Sequence, residues 1–154
     1  MSSVTKAMFD RMRHDSVLNT LLPKYNGYPT IFTSEPAPPE APLPLVLTTG
    51  FVTDATDVPE HSKQRIASRP VRDIRCYDEG TGSMARIEAI AERVWELFHL
   101  AKFPVEGWGL IRCRAARPVF FEADGHTLGV VVTVTMAIQK PESIGEPGGG
   151  DFGD

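Results

Sequence analysis

The 154-residue sequence predicts an α+β domain: a mainly antiparallel sheet of about four strands covered by one long helix, with an N-terminal helix, in the order α-β-β-α-β-β. Three observations carry the prediction. Apolar residues recur at helical spacing over 84–98, two alternating stretches meet at Asp124-Gly125, and two further strand-like stretches cover 45–52 and 69–77. The length suits one hydrophobic core. Residues 1–140 therefore read as a single domain with a Pro-rich connector at 35–44 and a polar arm at 53–68, followed by an acidic, Gly-rich tail at 141–154.

Residues 3–13 read as an amphipathic helix, with Ser3 as its N-cap and Val4, Ala7, Met8 and Met12 on one stripe. Asp15 is placed to cap a second short turn carrying Val17, Leu18, Leu21 and Leu22, which Pro23 ends. After Tyr28 the chain becomes extended, and the five prolines of 36–44 make a stiff approach to the first strong strand, Leu45 to Val52. Residues 53–68 are polar and nearly aperiodic, and connections that long are generally functional or mobile. Strand character returns from Arg69 to Tyr77, where Ile74 and Cys76 alternate with Asp73, Arg75 and Tyr77.

Turn chemistry at Asp78-Glu79-Gly80-Thr81-Gly82 precedes the longest helix, capped by Ser83 and ended before Pro104. Its stripe is Met84, Ile87, Ile90, Ala91, Val94, Trp95 and Phe98. Val94, Trp95 and Phe98 are expected to press on Ile111, Cys113 and Met136, which would make Trp95→Ala cost about 3–5 kcal/mol. Asp124-Gly125 is a favoured two-residue hairpin turn. It sets Phe121 opposite Leu128, Val119 opposite Val130, Ala115 opposite Val134, Cys113 opposite Met136 and Ile111 opposite Ile138. Arg117 opposite Val132 breaks this apolar face beside Pro118 and marks a bulge or an edge. On the other face Arg112 meets Ala137, Arg114 meets Thr135 and Ala116 meets Thr133, a side that is polar or meets a partner.

Charge and composition narrow the function classes. Charged residues are 23% and apolar ones 42%, a globular balance, and no run reaches the ~18 apolar residues of a membrane span. The opening residues Met-Ser-Ser-Val-Thr-Lys lack the apolar core of a signal peptide, so the protein is expected to stay where it is made. Residues 1–140 hold 16 Lys and Arg against 16 Asp and Glu, so Glu142, Glu146, Asp151 and Asp154 supply the whole net charge of −4. A neutral body disfavours tight non-specific nucleic-acid binding. The tail cannot bury enough apolar surface to offset its ordering entropy and is expected to be mobile.

The residues that could carry chemistry do not assemble into a catalytic pattern. Gly80-Thr81-Gly82-Ser83 lacks the lysine of a phosphate-binding loop and reads as a turn plus helix cap. Cys76 and Cys113 read as buried free thiols with no zinc partners. His14, His61, His99 and His126 fall in four different elements, His99 where a positive imidazole would suit a helix C-terminus. Asp78 and Glu79 read as solvated acids of a turn. Asp54, Asp57, Glu60 and His61 gather oxygen and nitrogen ligands, but at a spacing that fits no calcium or zinc loop. The expectation is no enzyme, no metal and no cofactor. Arg75, Arg112 and Arg114 lie on strands, where guanidinium forks suit carboxylates of a neighbouring subunit or form an ordinary solvated face. With the arm residues Asp54, Asp57, Glu60, His61, Lys63 and Arg65 they make up the candidate subunit or partner interface.

Several segments taken together are suggestive: Leu18-Asn19-Thr20-Leu21-Leu22, Tyr28-Pro29-Thr30-Ile31-Phe32, Pro44-Leu45-Val46-Leu47, Ile74-Arg75-Cys76-Tyr77, the helix from Ala89 to Leu97, and a closing hairpin through Val132-Thr133-Val134-Thr135-Met136. Across roughly residues 4–139 this arrangement resembles the tail-terminator (tail-completion) proteins of long-tailed bacteriophages and phage-like particles. The resemblance implies a ring-forming, usually hexameric, non-enzymatic α+β protein that caps the completed tail tube and presents a surface to the head-side connector. The implied partners are further copies of the chain, the tail tube protein and a head–tail connector or neck protein. Genomic DNA would be present only in transit through the lumen, with no membrane involved. The implied location is the neck region of the virion tail, after assembly in the host cytoplasm. Other neck or tail components, a head–tail adaptor or a tube subunit, stay open. So does a small nucleic-acid-binding domain using Arg75, Tyr77, Arg112 and Arg114 as a sheet platform.

Overall fold

The computed structural model describes residues 2–33, 37–49, 53–57, 67–80 and 83–140, with 53–57 described as backbone. Two helices open the chain, α1 (Ser3–Arg13) and α2 (Ser16–Leu21). Ser2, one residue earlier than expected, caps α1 by accepting from the Thr5 amide. Asp15 caps α2 as its sequence position demands, accepting from the Leu18 amide at 2.9 Å. Val4, Met8 and Met12 are buried, the stripe that the spacing predicts. A small hairpin follows, β1 (Lys24–Tyr25) with β2 (Tyr28–Pro29), turning through Asn26 and Gly27, both at positive φ.

The main sheet has seven strands among the described residues, more than the four expected. They are β3 (Ile31–Phe32), β4 (Leu45–Thr48), β5 (Thr53–Asp57), β6 (Ala67–Glu79), β7 (Gly109–Ala115), β8 (Val119–Glu122) and β9 (Thr127–Gln139). The order is β3-β4-β6-β9-β7, with β5 beside β6 and β8 beside β9. The sheet is mixed, because β3 runs parallel to β4 while the other pairings are antiparallel. The α+β class holds. The polar arm of 53–68 needs correction at both ends: Thr53–Asp57 is a strand paired to β6 from Val71 to Ala67, and 67–68 already belong to β6. Residues 58–66 and the tail lie outside the described residues.

The long helix α3 (Ala85–Phe98) buries Ile87, Ile90, Ala91, Val94, Leu97 and Phe98 against one face of β6, β9 and β7. The N-cap is Met84, one position after the Ser83 that the sequence suggests, and Ser83 Oγ accepts from the Ala85 amide at 3.2 Å. That sheet face supplies Ile74, Cys76, Cys113, Val130, Val132, Val134, Met136 and Ile138, all buried. Trp95 packs against the margin of this core without being buried in it. It is half-buried at the sheet edge, its Nε1 donating to the Ala115 carbonyl at 3.0 Å and its ring stacked on His99 at 4.7 Å. The Ala115 amide in turn donates to His99 Nδ1 at 3.3 Å.

The closing hairpin shows how far register could be read in advance. Cys113 faces Met136, Ala115 faces Val134, Arg112 faces Ala137 and Arg114 faces Thr135, all as the turn position predicts. Two inserted residues then shift the rest. Ile111 is bulged out between Leu110 and Arg112 and is 52% exposed, so Leu110, not Ile111, opposes Ile138. The break beside Pro118 occurs where expected, but it moves β8 by one residue, so Val119 faces Val131 and Phe121 faces Gly129. A one-residue shift exchanges faces, and Phe121 arrives on the side away from the helices.

Candidate interaction surface on the open sheet face

Side chains alternate strictly along β6 and β9, so the residues that do not meet α3 share the opposite face. Among the described residues no helix covers it. Rows cross this face from β6 through β9 to β7 or β8. Val71, Thr135 and Arg114 form one row, and Asp73 and Thr133 the next, with Thr133 Oγ1 donating to Asp73 Oδ1 at 2.7 Å. Arg75, Val131 and Val119 follow, then Tyr77, Gly129 and Phe121. At the other end Arg112 lies beside Ala137.

The last row is aromatic because Gly129 leaves room for it. A Cβ on Gly129 would stand 2.6 Å from the Phe121 ring, so the absence of a side chain lets that ring lie over the backbone. Tyr77 and Phe121 meet edge to face at 5.7 Å, and the Arg75 guanidinium stands 5.7 Å from the Phe121 centroid. These groups border a cleft of about 380 Å³ that Asp73, Glu122, Ala123, Asp124 and Val131 complete. Sequence reasoning placed only Tyr77 here; Phe121 was missed, and the proline beside the shift was the available signal.

The structure therefore brings Arg75, Arg112 and Arg114 to one face. Arg112 and Arg114 are exposed, and their side chains form no hydrogen bond or ion pair among the described residues. Arg75 is half-buried and engaged. Asp54 and Asp57 are placed as backbone, opposite Pro70 and Ala67 on β5. Glu60, His61, Lys63 and Arg65 lie outside the described residues.

Other ionisable groups have structural tasks. Asp78 is buried rather than solvated, paired to Arg86 through Nε at 2.8 Å and Nη2 at 2.6 Å. Arg93 spans from α3 to the α2 cap, holding Asp15 through Nε at 2.9 Å and Nη2 at 2.6 Å, and this keeps the Asp15 carboxyl below its ordinary value. Arg72 is 1% exposed beneath α1, with Nη1 donating to the Val71 carbonyl and Nε 3.5 Å from Thr5 Oγ1. Cys76 and Cys113 are buried free thiols. Among the described residues no three His, Cys, Asp or Glu side chains converge on a metal position, and no helix is long and apolar enough to cross a membrane.

No protein-family model matches the chain, and no curated protein matches it. A solved structure does. It is a chain described as "Virion of native gene transfer agent (GTA) particle", with a TM-score of 0.70 over 88% of this chain and 94% of that one. The fold is shared with a virion chain. At 15% identity the likeness carries the architecture alone.

Proposed function

We propose that this chain is a structural, non-catalytic component of a phage-like virion, and that about six copies close into a ring capping the completed tail tube. The observation that carries the reading is the architecture shared over 88% of the chain with a chain of a gene transfer agent virion. The open face supports the assembly step, because exposed guanidinium groups on a rigid sheet are suited to carboxylates of a neighbouring copy. The exposed Arg112 and Arg114, with the half-buried Arg75 beside them, are assigned to that contact, with Asp54, Asp57, Glu60, His61, Lys63 and Arg65 of the arm as the complementary set. A structural role also agrees with the thiols: burial pushes both Cys76 and Cys113 up to about 12, far from a nucleophile at neutral pH. The remaining partners on this reading are the tail tube protein and the head-side connector, with DNA only passing through the lumen.

Light scattering of the purified chain, alone and mixed with tail tubes, tests the reading. The expected result is a discrete closed particle of about six chains, which binds a tube end and stops growth there. A monomer under both conditions overturns it. Open-ended filaments would assign the chain to the tube itself.

A further inference from the structure

Two breaks in the regular backbone put apolar side chains into water at one place. Leu100, just past α3, is 64% exposed at φ 57°, a left-handed conformation that favours glycine or asparagine. Ile111, in the β7 bulge, is exposed beside it: the Leu100 amide donates to the Cys113 carbonyl at 2.9 Å, and Lys102 Nζ to the Ile111 carbonyl at 2.8 Å. A turn needed only for the fold would be better served by a smaller polar residue, so the exposed leucine points to something that touches it. Lys102 is exposed and has no carboxylate partner among the described residues.

The same edge of the sheet carries a complement. β7 and β8 both pair with β9 on the side away from β6, and a cleft of about 630 Å³ lies between α3 and β8. Met84, Ala89, Pro118 and Phe120 line it together with Glu88 and Glu92, and Phe120 is 54% exposed. Arg117 holds Glu92 at 3.1 Å, whereas the exposed Glu88 has no cationic partner among the described residues. The cleft is thus apolar and net acidic, and the knob formed by Leu100 and Ile111 is apolar and flanked by a lysine. A further strand is kept off β7, because the carbonyls of Ile111, Cys113 and Ala115 already accept from Lys102, Leu100 and Trp95. Contact along this edge is therefore made by side chains.

We propose that two copies of this chain pair edge to edge about a two-fold axis, the knob of each seated in the α3–β8 cleft of the other, with Lys102 meeting Glu88. Ile111 lies level with residues 137–138 of β9 and Phe120 with Val130, so knob and cleft stand about 25 Å apart along one edge. Patches on one edge do not suit the small rotation between neighbours in a ring, whereas a half-turn joins both knobs to both clefts at once. The pair goes beyond the ring reading and does not depend on it, because it leaves the open face, with Arg112 and Arg114, to other contacts.

Cysteine cross-linking of the full chain tests this, since Cys76 and Cys113 are buried and leave introduced thiols as the ones that react. A chain carrying Ile111→Cys is mixed with one carrying Ala89→Cys and oxidised. Linked dimers should form several times faster in the mixture than in either variant alone, where like thiols stand far apart across the axis. Glu88→Lys in both chains should slow linking about tenfold, and adding Lys102→Glu should restore it. A chain carrying both cysteines should stop at a doubly linked dimer; a ladder of larger species would show head-to-tail contact and overturn the two-fold pair. Leu100→Asn suits the left-handed backbone and should slow linking about tenfold with no loss of thermal stability. A loss of stability would show that Leu100 serves its own fold and overturn its role as a knob. Equal linking in every combination, or none, overturns the proposal and gives the cleft to a different partner.

Discussion

Strands β6 and β9 each present two sides, and the two sides use the same backbone for different ends. On one side Ile74, Cys76, Val132 and Val134 are fully buried beneath the helices. On the other, Arg75, Tyr77, Val131 and Thr133 are only half-buried, and the neighbouring Arg112, Arg114 and Thr135 are exposed. The covered side is apolar, so its removal from water supplies stability in proportion to area. The open side gains little from folding and keeps charged and aromatic groups at fixed spacing, which is what recognition needs. Stability and recognition are thus separable in this sheet, residue by residue.

The sharpest way to break that comparison is a pair of phenylalanine truncations. Phe98→Ala, at a fully buried position, is expected to cost about 3–5 kcal/mol in a denaturant titration. Phe121→Ala on the open side removes one edge-to-face contact and should cost about 0.5–1.5 kcal/mol. Equal costs would show that the open face is covered in solution. Trp95 is intermediate in burial, at the margin of the covered side. Its truncation leaves the Ala115 carbonyl without its indole donor and should cost about 2 kcal/mol, less than its place on the helical stripe suggests.

The Asp15–Arg93 clamp sharpens the comparison on the helix side. Arg93→Ala is expected to lower stability by about 1–2 kcal/mol at neutral pH. Because Arg93 depresses the Asp15 pKa in the folded protein, the clamp's contribution is full above the unfolded carboxyl value and is lost as pH falls through the folded one. The gap between wild type and variant should therefore hold above about pH 5 and narrow below about pH 4. A gap independent of pH would mean that the carboxylate's charge does not matter there.

Smaller effects are expected from the open side and the arm. Replacing residues 58–66 with a short Gly-Ser linker should change stability by less than about 1 kcal/mol, since closure entropy varies slowly with loop length, while impairing ring formation or tube capping. Extending the replacement through 53–57 removes the β5 pairing and should cost more. Arg112→Glu with Arg114→Glu should alter stability by less than about 0.5 kcal/mol, as surface changes generally do, yet abolish the assembled species seen by light scattering. A large loss of stability in that double variant would place the two arginines in the fold rather than on an interface.

Much of the covered side was legible because local rules fix it. The stripe of α3, the Asp15 cap and the pairing of Cys113 with Met136 all follow from periodicity, capping chemistry and one turn. β5 was not legible: Thr53-Asp54-Ala55-Thr56-Asp57 has no apolar alternation, and it is a strand because β6 runs far enough to pair with it. Asp78 looked like a turn acid for the same reason, since only the length of β6 carries it under the helix layer to meet Arg86.

By itself the sequence determined the alternation within each strand, and so which residues must share a side: Arg112 with Arg114, Arg75 with Tyr77. Only the tertiary structure decided how those rows line up across strands. The extra residue at Ile111 and the break beside Pro118 each move everything beyond them by one position. With a side-chain period of two, a shift of one exchanges faces, and that exchange put Phe121 beside Tyr77 and Arg75. Local propensity is blind to such a shift, because a strand keeps the same alternation in either register. The choice is made by contacts between strands: Gly129, opposite Phe121, leaves the space over which that ring lies.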